Sequence, residues 1–504
     1  MTLTSIDFFF FLIGAFLLFY LSGKRFQKYV LLGASLFFYL QVVSISAFKV
    51  ILILAYVIFV TWLGALIIDS CKGRLRTVAV FLVVSALVAA LFVLKYAYNM
   101  VSMLFALFSV GGNVEWLQFA AVMGISYFTL SAIGYLMDVY WGTYKAEKNI
   151  GMIALFILYF PQLVSGPITR FPQMKEQFEA HHKPEYSNVV YGMRRMIWGY
   201  FKKLIISERF ALVVTAVYDN PAGQSGIWLL FATICYVIRL YTDFSGCMDI
   251  VLGASQLFGI VLPENFNAPF LSLTFKEFWQ RWHITLGNWF KDYVMYPIQI
   301  SKPMVNLGKK LKKRFGKNIG KRVPVYLAML ALWLLLGIWH GATAHYFVAT
   351  GIIPYLLLVG GDWFQPKFEN ITKRLKINIE SFGFRLFQRL RTILVICIGW
   401  VFICTEDVAE GFLVWKRILL RPWMSDAPGI TALLHELTSV DVVLMIFGVL
   451  LLIAEHYFVS RESSLTQVLD KQKAVVRGAV LYAELLLILF CGMVGSSSFI
   501  YFNF

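Results

Sequence analysis

Charge is scarce in this chain. Of its 504 residues only 14% are charged, where a soluble domain carries about 25%, and 59% are hydrophobic. No soluble fold hides that much apolar surface, so the composition excludes the soluble classes and requires a polytopic membrane protein. Organised cysteine is lacking too. The six cysteines (Cys71, Cys235, Cys247, Cys397, Cys404 and Cys491) are scattered through apolar segments with no CxxC pair. That pattern excludes a disulfide framework or a thiolate metal site and leaves small buried hydrophobes. There is no G-x-S-x-G nucleophile elbow and no metal-ligand spacing, so neither a metal nor a tightly bound cofactor is expected. The two halves of the chain show no repeat, against the common inverted-repeat transporters. A cleavable signal peptide is not expected, because Met1 to Asp7 lacks a basic region and the first apolar run is followed by Lys24-Arg25. The net charge of +17 comes without any nucleic-acid motif; cytoplasmic loops of a membrane protein collect Lys and Arg by themselves.

What is present is apolar length. A membrane span takes about 20 predominantly apolar residues, and by that measure helices are expected near 5–22, 29–45, 48–69, 77–95, 116–139, 150–165, 226–250, 325–340, 344–361, 389–405, 441–459 and 477–497. The basic loops at Lys24 to Lys28, Lys72 to Arg76, Lys202-Lys203, Lys309 to Arg322 and Lys373 to Lys376 are expected on the cytoplasmic side, with the N-terminus outside. Between about 160 and 325 the apolar runs are short and broken by Pro161, Pro167, Pro172, Pro263, Pro269 and Pro297. Irregular backbone at membrane depth survives only where protein buries it or a cavity wets it, so this region predicts a packed interior with re-entrant pieces. Met193 to Arg209 mixes cationic and apolar positions and reads as an interfacial amphipathic helix, with Arg194, Arg195, Lys202 and Lys203 toward headgroups. Three parts follow: N-terminal transmembrane helices over 1–145, a core over 146–360 that holds the polar segments, and C-terminal transmembrane helices over 361–504.

Two histidines carry the chemistry. His340 ends the run Trp333 to Gly341, at membrane depth, flanked by Gly337 and Gly341, which permit close backbone approach. An ionisable side chain placed there is costly and is a functional-site candidate by default, and histidine is the side chain best suited to moving protons near neutral pH. His345, one turn further on, reads as a boundary residue. His283 lies in Glu277 to Tyr293, a stretch denser in Trp, Arg, Lys and carboxylates than an aromatic belt requires. Arg281 and Lys291 are expected to pair with Glu277 and Asp292, leaving His283 and Asn288 to line a cavity. Upstream, Asp243 and Asp249 sit beside a membrane run and are expected to serve as partners of Arg or His rather than as metal ligands.

Taken together, FPQLVSGPI (160–168), YTDFSGCMD (241–249), PENFNAPF (263–270), FWQRWHITLGNWFKDYVMYPI (278–298) and GIWHGA (337–342) resemble the membrane-bound O-acyltransferase (MBOAT) family, and within it the bacterial alginate O-acetylase branch. The resemblance covers the chain to about residue 360. It implies an all-α polytopic fold in a bacterial cytoplasmic membrane, a ring of about ten to twelve tilted helices with re-entrant and interfacial pieces around a central tunnel. It also implies a cytoplasmic acyl donor, acetyl-CoA or an acylated carrier protein, and an extracytoplasmic acceptor, a polysaccharide reached directly or through an SGNH-hydrolase-like partner. His340 matches the family's catalytic histidine and His283 its second site residue. Asn288, Trp282, Trp339 and Asp243 are the candidates for lining the path. Cys247 departs from the branch, which commonly has an aromatic there.

Acyl transfer from a thioester to a hydroxyl needs a base for the hydroxyl proton and donors for the developing oxyanion. His340 suits the first role; His283, with Asn288, suits orientation and oxyanion stabilisation. Two other readings compete. One is D-alanyl transfer to teichoic acid, whose enzymes have shorter chains and lack a counterpart of Asp249. The other is a transporter using His340 as a proton relay, against which the missing repeat speaks.

Overall fold

A computed structural model describes residues 1–43, 47–107, 124–163, 165–341, 343–423, 435, 437–461, 465–494 and 499. The described residues form an all-α protein, with one isolated bridge between Phe266 and Trp282 as the only β pairing among them. Eight of its helices are long and apolar enough to cross a bilayer: Val50–Ser70, Gly73–Lys95, Gly226–Leu257, Lys317–His340, Ala344–Arg374, Phe382–Ile403, Ser439–Val459 and Ala474–Cys491. The chain is a multi-pass membrane protein.

The four other expected spans are shorter. Ile6–Leu21 has 16 residues, and Gln27–Val43 and Ile125–Trp141 have 17 each; residues 44–45 and 116–123 of the expected segments lie outside the described residues. The segment 150–165 is not one span. Ile150–Leu158 stops at Tyr159, and the chain restarts as the short turn Phe160–Leu163, with Pro161 at its second position. Proline has no N–H to donate and clashes with the preceding turn, which fits a break in the apolar run at Tyr159–Pro161.

Chain contacts group the residues into two units. One comprises the described residues within 1–200 and 247–263; the other comprises those within 201–246 and 264–499. The first is held by interlocked aromatics: Phe11 and Phe160 meet edge to face at 5.2 Å, and Phe160 meets Phe258 at 5.8 Å. Lipid is as apolar as these side chains, so close packing and hydrogen bonds, rather than escape from water, must carry association at this depth. The polar contacts fit that account: the hydroxyls of Tyr159 and Ser255 lie 2.8 Å apart in the buried interior. Cys247 is accommodated as a small buried group, its Sγ 3.3 Å from the Ser165 hydroxyl.

Burial sorts the helices by position, as two that lie wholly or partly in the second unit show. The apolar stretch of Ala474–Cys491 buries none of its residues, whereas that of Gly226–Leu257 buries 61%; the former presents its apolar surface outward and the latter is internal. The expected interfacial helix is a correction. The helix Tyr186–Tyr200 passes into a π-helical turn, Phe201–Ser207, and then into Glu208–Tyr218. Lys202 and Lys203 are each only 2% exposed, and Arg194 is buried as well. The Lys203 ammonium lies 2.6 Å from both Glu208 and Asp243, while Lys202 reaches Glu455 at 3.8 Å. Local sequence showed a mixture of charge and apolarity but not the distant carboxylates that make burial of the lysines possible. Arg195, in the other unit, holds Asp249 at 3.1 Å.

Candidate active site

His340 is the last residue of the helix Lys317–His340 and is buried. At 1.5 Å per residue that helix of 24 residues is about 36 Å long, enough to cross the hydrocarbon core. Near its end it packs closely on the π-helical turn Val348–Ile352. A Cβ on Gly337 would stand 3.0 Å from the Gly351 Cα, and one on Gly351 would stand 3.1 Å from the Trp333 carbonyl. Glycine at both positions is what allows the backbones to approach. The His340 Nδ1 lies 2.9 Å from the Leu336 carbonyl oxygen one turn earlier. A carbonyl only accepts, so Nδ1 carries the proton and Nε2 is the basic nitrogen.

His283 sits in a different device. It precedes the helix Ile284–Phe290 with φ 47° and ψ 51°, in the left-handed region. A non-glycine residue held there stores about 1–3 kcal/mol, so its surroundings must fix it. They do so through a short antiparallel clamp: the Asn267 N–H donates to the Arg281 carbonyl at 3.0 Å, the Ile284 N–H donates to the Asn265 carbonyl at 3.0 Å, and Phe266 pairs with Trp282 between them. The Asn265 side-chain oxygen accepts from the Thr285 N–H at 3.0 Å and from its hydroxyl at 2.9 Å. Those donors identify the atom as oxygen, so the His283 Nδ1, 3.3 Å away, is the protonated nitrogen of that ring. Burial pushes the His283 pKa well below its ordinary value, and a charge on nearby His340 pushes in the same direction. His283 is therefore neutral at physiological pH.

The structure brings the two histidines together through one side chain. The Trp339 ring lies 4.9 Å from the His340 ring and 6.1 Å from the His283 ring, and Phe244 closes on His283 edge to face at 4.8 Å. Trp282 is buried beside this group, 5.1 Å from Trp400 and 5.0 Å from Phe266. Asp243 is buried one residue before Phe244, held by Lys203. Asn288 is exposed; the asparagine that reaches His283 is Asn265. The pairing of Arg281 with Glu277 is present at 2.9 Å, half-buried, whereas Lys291 and Asp292 are exposed. His345 is half-buried, near the Thr343 hydroxyl. Asn265, Phe244 and Lys203 are what sequence reasoning missed. The Pro263 to Pro269 turn contained the signal for Asn265, since Asn side chains in turns bond neighbouring backbone.

Comparison with known proteins gives the family. Residues 149–309, which include His283 and the clamp, match the model of the MBOAT, membrane-bound O-acyltransferase family. A probable alginate O-acetylase of Pseudomonas syringae pv. tomato is 30% identical over 81% of this chain and 73% of its own length. The peptidoglycan O-acetyltransferase of Helicobacter pylori is 27% identical over 61% of this chain and 58% of that protein. The teichoic acid D-alanyltransferase of Bacillus subtilis is 31% identical over 56% of this chain and 66% of that protein. An apolar helical protein with a buried histidine pair, similar over most of its length to an O-acetylase, belongs to the membrane-bound O-acyltransferase family and is an O-acyltransferase.

Proposed function

We propose that the chain moves an acetyl group from a cytoplasmic thioester to a hydroxyl of a cell-surface polysaccharide, in a bacterial cytoplasmic membrane, directly or through an extracytoplasmic SGNH-hydrolase-like partner. The observation that carries the reading is the His340 tautomer. With its Nδ1 proton engaged by the Leu336 carbonyl, the basic nitrogen of the ring is Nε2. In the proposed step Nε2 takes the proton of the attacking hydroxyl as its oxygen bonds to the thioester carbon. When the C–S bond breaks, the same proton passes to the departing thiolate. The Leu336 carbonyl favours the imidazolium that forms between these events.

The tautomer of His283 alters the role given to it. A neutral ring whose Nδ1–H faces Asn265 has only an acceptor left at Nε2. Such a ring receives a hydrogen bond and does not donate one to an oxyanion. Orientation of the hydroxyl is thus the role supported for His283. Oxyanion stabilisation needs a donor, and Trp339, between the two imidazoles, brings an indole N–H to the site. The reading needs no covalent acyl-enzyme.

The D-alanine reading has its own support in the similarity to the Bacillus subtilis protein. The two separate by donor. Membranes containing this chain are expected to consume acetyl-CoA and to release free coenzyme in step with polysaccharide ester. Turnover supported solely by an acylated carrier protein would instead establish D-alanyl transfer.

A further inference from the structure

The helix Lys302–Phe315 and the start of the His340 helix form a hairpin whose charge the proposed chemistry does not use. Between residues 302 and 322 the chain carries Lys302, Lys309, Lys310, Lys312, Lys313, Arg314, Lys317, Lys321 and Arg322, and no Asp or Glu. The crossing is tight. A Cβ on Gly320 would meet the Lys312 backbone at 2.7 Å, and one on Gly308 would meet the Gly320 carbonyl at 3.0 Å. Within it lies a cavity of about 280 Å³, with Lys309, Lys312, Lys317 and Lys321 in its lining. All four lysines are exposed, and four like charges lining one cavity with no acidic residue in the segment favour an anion there. The first turn of the 24-residue helix Lys317–His340, which has no side-chain cap, adds the positive end of a helix dipole.

We infer that this cavity binds the phosphate headgroup of an anionic phospholipid. Two observations favour a lipid over a soluble phosphate ester. First, the cavity lies at the N-terminal end of a membrane-spanning helix, which is where headgroups stand. Second, exposed apolar side chains border the lysines: Ile300 at 57%, Val305 at 43% and Phe315 at 52% exposure. A phosphate on the lysines with acyl chains along these side chains satisfies both surfaces, as a basic helix lying in the membrane interface does.

The test uses the full-length chain reconstituted in nanodiscs of phosphatidylcholine with a minority of phosphatidylglycerol. After transfer to mild detergent, co-purifying lipid is counted by mass spectrometry. The wild type is expected to retain phosphatidylglycerol in preference to phosphatidylcholine. The quadruple variant Lys309→Gln, Lys312→Gln, Lys317→Gln, Lys321→Gln is expected to lose that preference by about tenfold or more, since each basic residue near the surface contributes measurably to anionic-lipid attraction. Lys310→Gln with Lys313→Gln, on the same helix but outside the cavity lining, is expected to retain it. Equal retention by wild type and the quadruple variant overturns the assignment. So does displacement of phosphatidylglycerol by an equimolar coenzyme A thioester, which would mark the cavity as a soluble-phosphate site.

Discussion

At the scale of single residues, His283 combines two properties that one substitution separates: a left-handed backbone and a buried imidazole. Asparagine tolerates the left-handed region better than other non-glycine residues. His283→Asn is therefore expected to fold and insert normally while transfer falls about 10²-fold, the lower end of what one positioned proton-handling group supplies. Ester formation and thermal unfolding of the same preparation check both halves. The low pKa of His283 adds a signature. Unfolded, the ring takes up a proton near pH 6.5; folded, it does so only at lower pH. Between those values the unfolded state binds more protons, so His283 leaves stability unaffected above pH 6.5 and lowers it as pH falls further, by up to about 1.4 kcal/mol per pH unit. Stability of wild type measured from pH 7 to 5 should drop more steeply than that of His283→Asn; identical slopes would show that His283 is not held neutral. Trp339→Phe keeps an aromatic ring at this position and removes the indole N–H. A fall in kcat with little change in KM is expected if that N–H meets the oxyanion, and unchanged kcat would remove Trp339 from the reaction.

At the scale of elements, close crossings and buried charges position the site. Gly337→Val is expected to push the His340 helix from the Val348–Ile352 turn, at the roughly 1–3 kcal/mol of an overpacked core, and to lower activity by displacing His340. Lys203→Met leaves Glu208 and Asp243 facing each other in a buried place. Breaking such a network costs about 3–5 kcal/mol, so this variant should lose its thermal transition or fail to accumulate. Adding Glu208→Gln and Asp243→Asn should restore much of the loss. These elements also show what the sequence made legible. The spans were readable because apolar length is a local property, and His340 because an imidazole in such a run is conspicuous. The clamp at Asn265, the burial of Lys202 and Lys203 and the exposure of Asn288 were not readable, because each depends on residues distant in the chain. Lys203 is 40 positions from Asp243, and Asn265 is 18 from His283. A mixed cationic and apolar segment looks the same whether its charges face headgroups or buried carboxylates.

At the scale of the whole molecule, a low-charge O-acyltransferase chain holds two differently fixed histidines around one tryptophan, and the proposed function assigns the chemistry to them. His340 is held by its own helix and His283 by a clamp from a preceding turn. The proposed proton path, from hydroxyl to imidazole to thiolate, needs one competent base. The measurement that tests this most directly is the rate of acyl transfer by His340→Gln, set beside wild type in membranes matched for inserted, folded protein. The account predicts a loss of at least about 10²-fold, with the thioester still bound and thermal stability close to wild type. Transfer at the wild-type rate by that variant would contradict it.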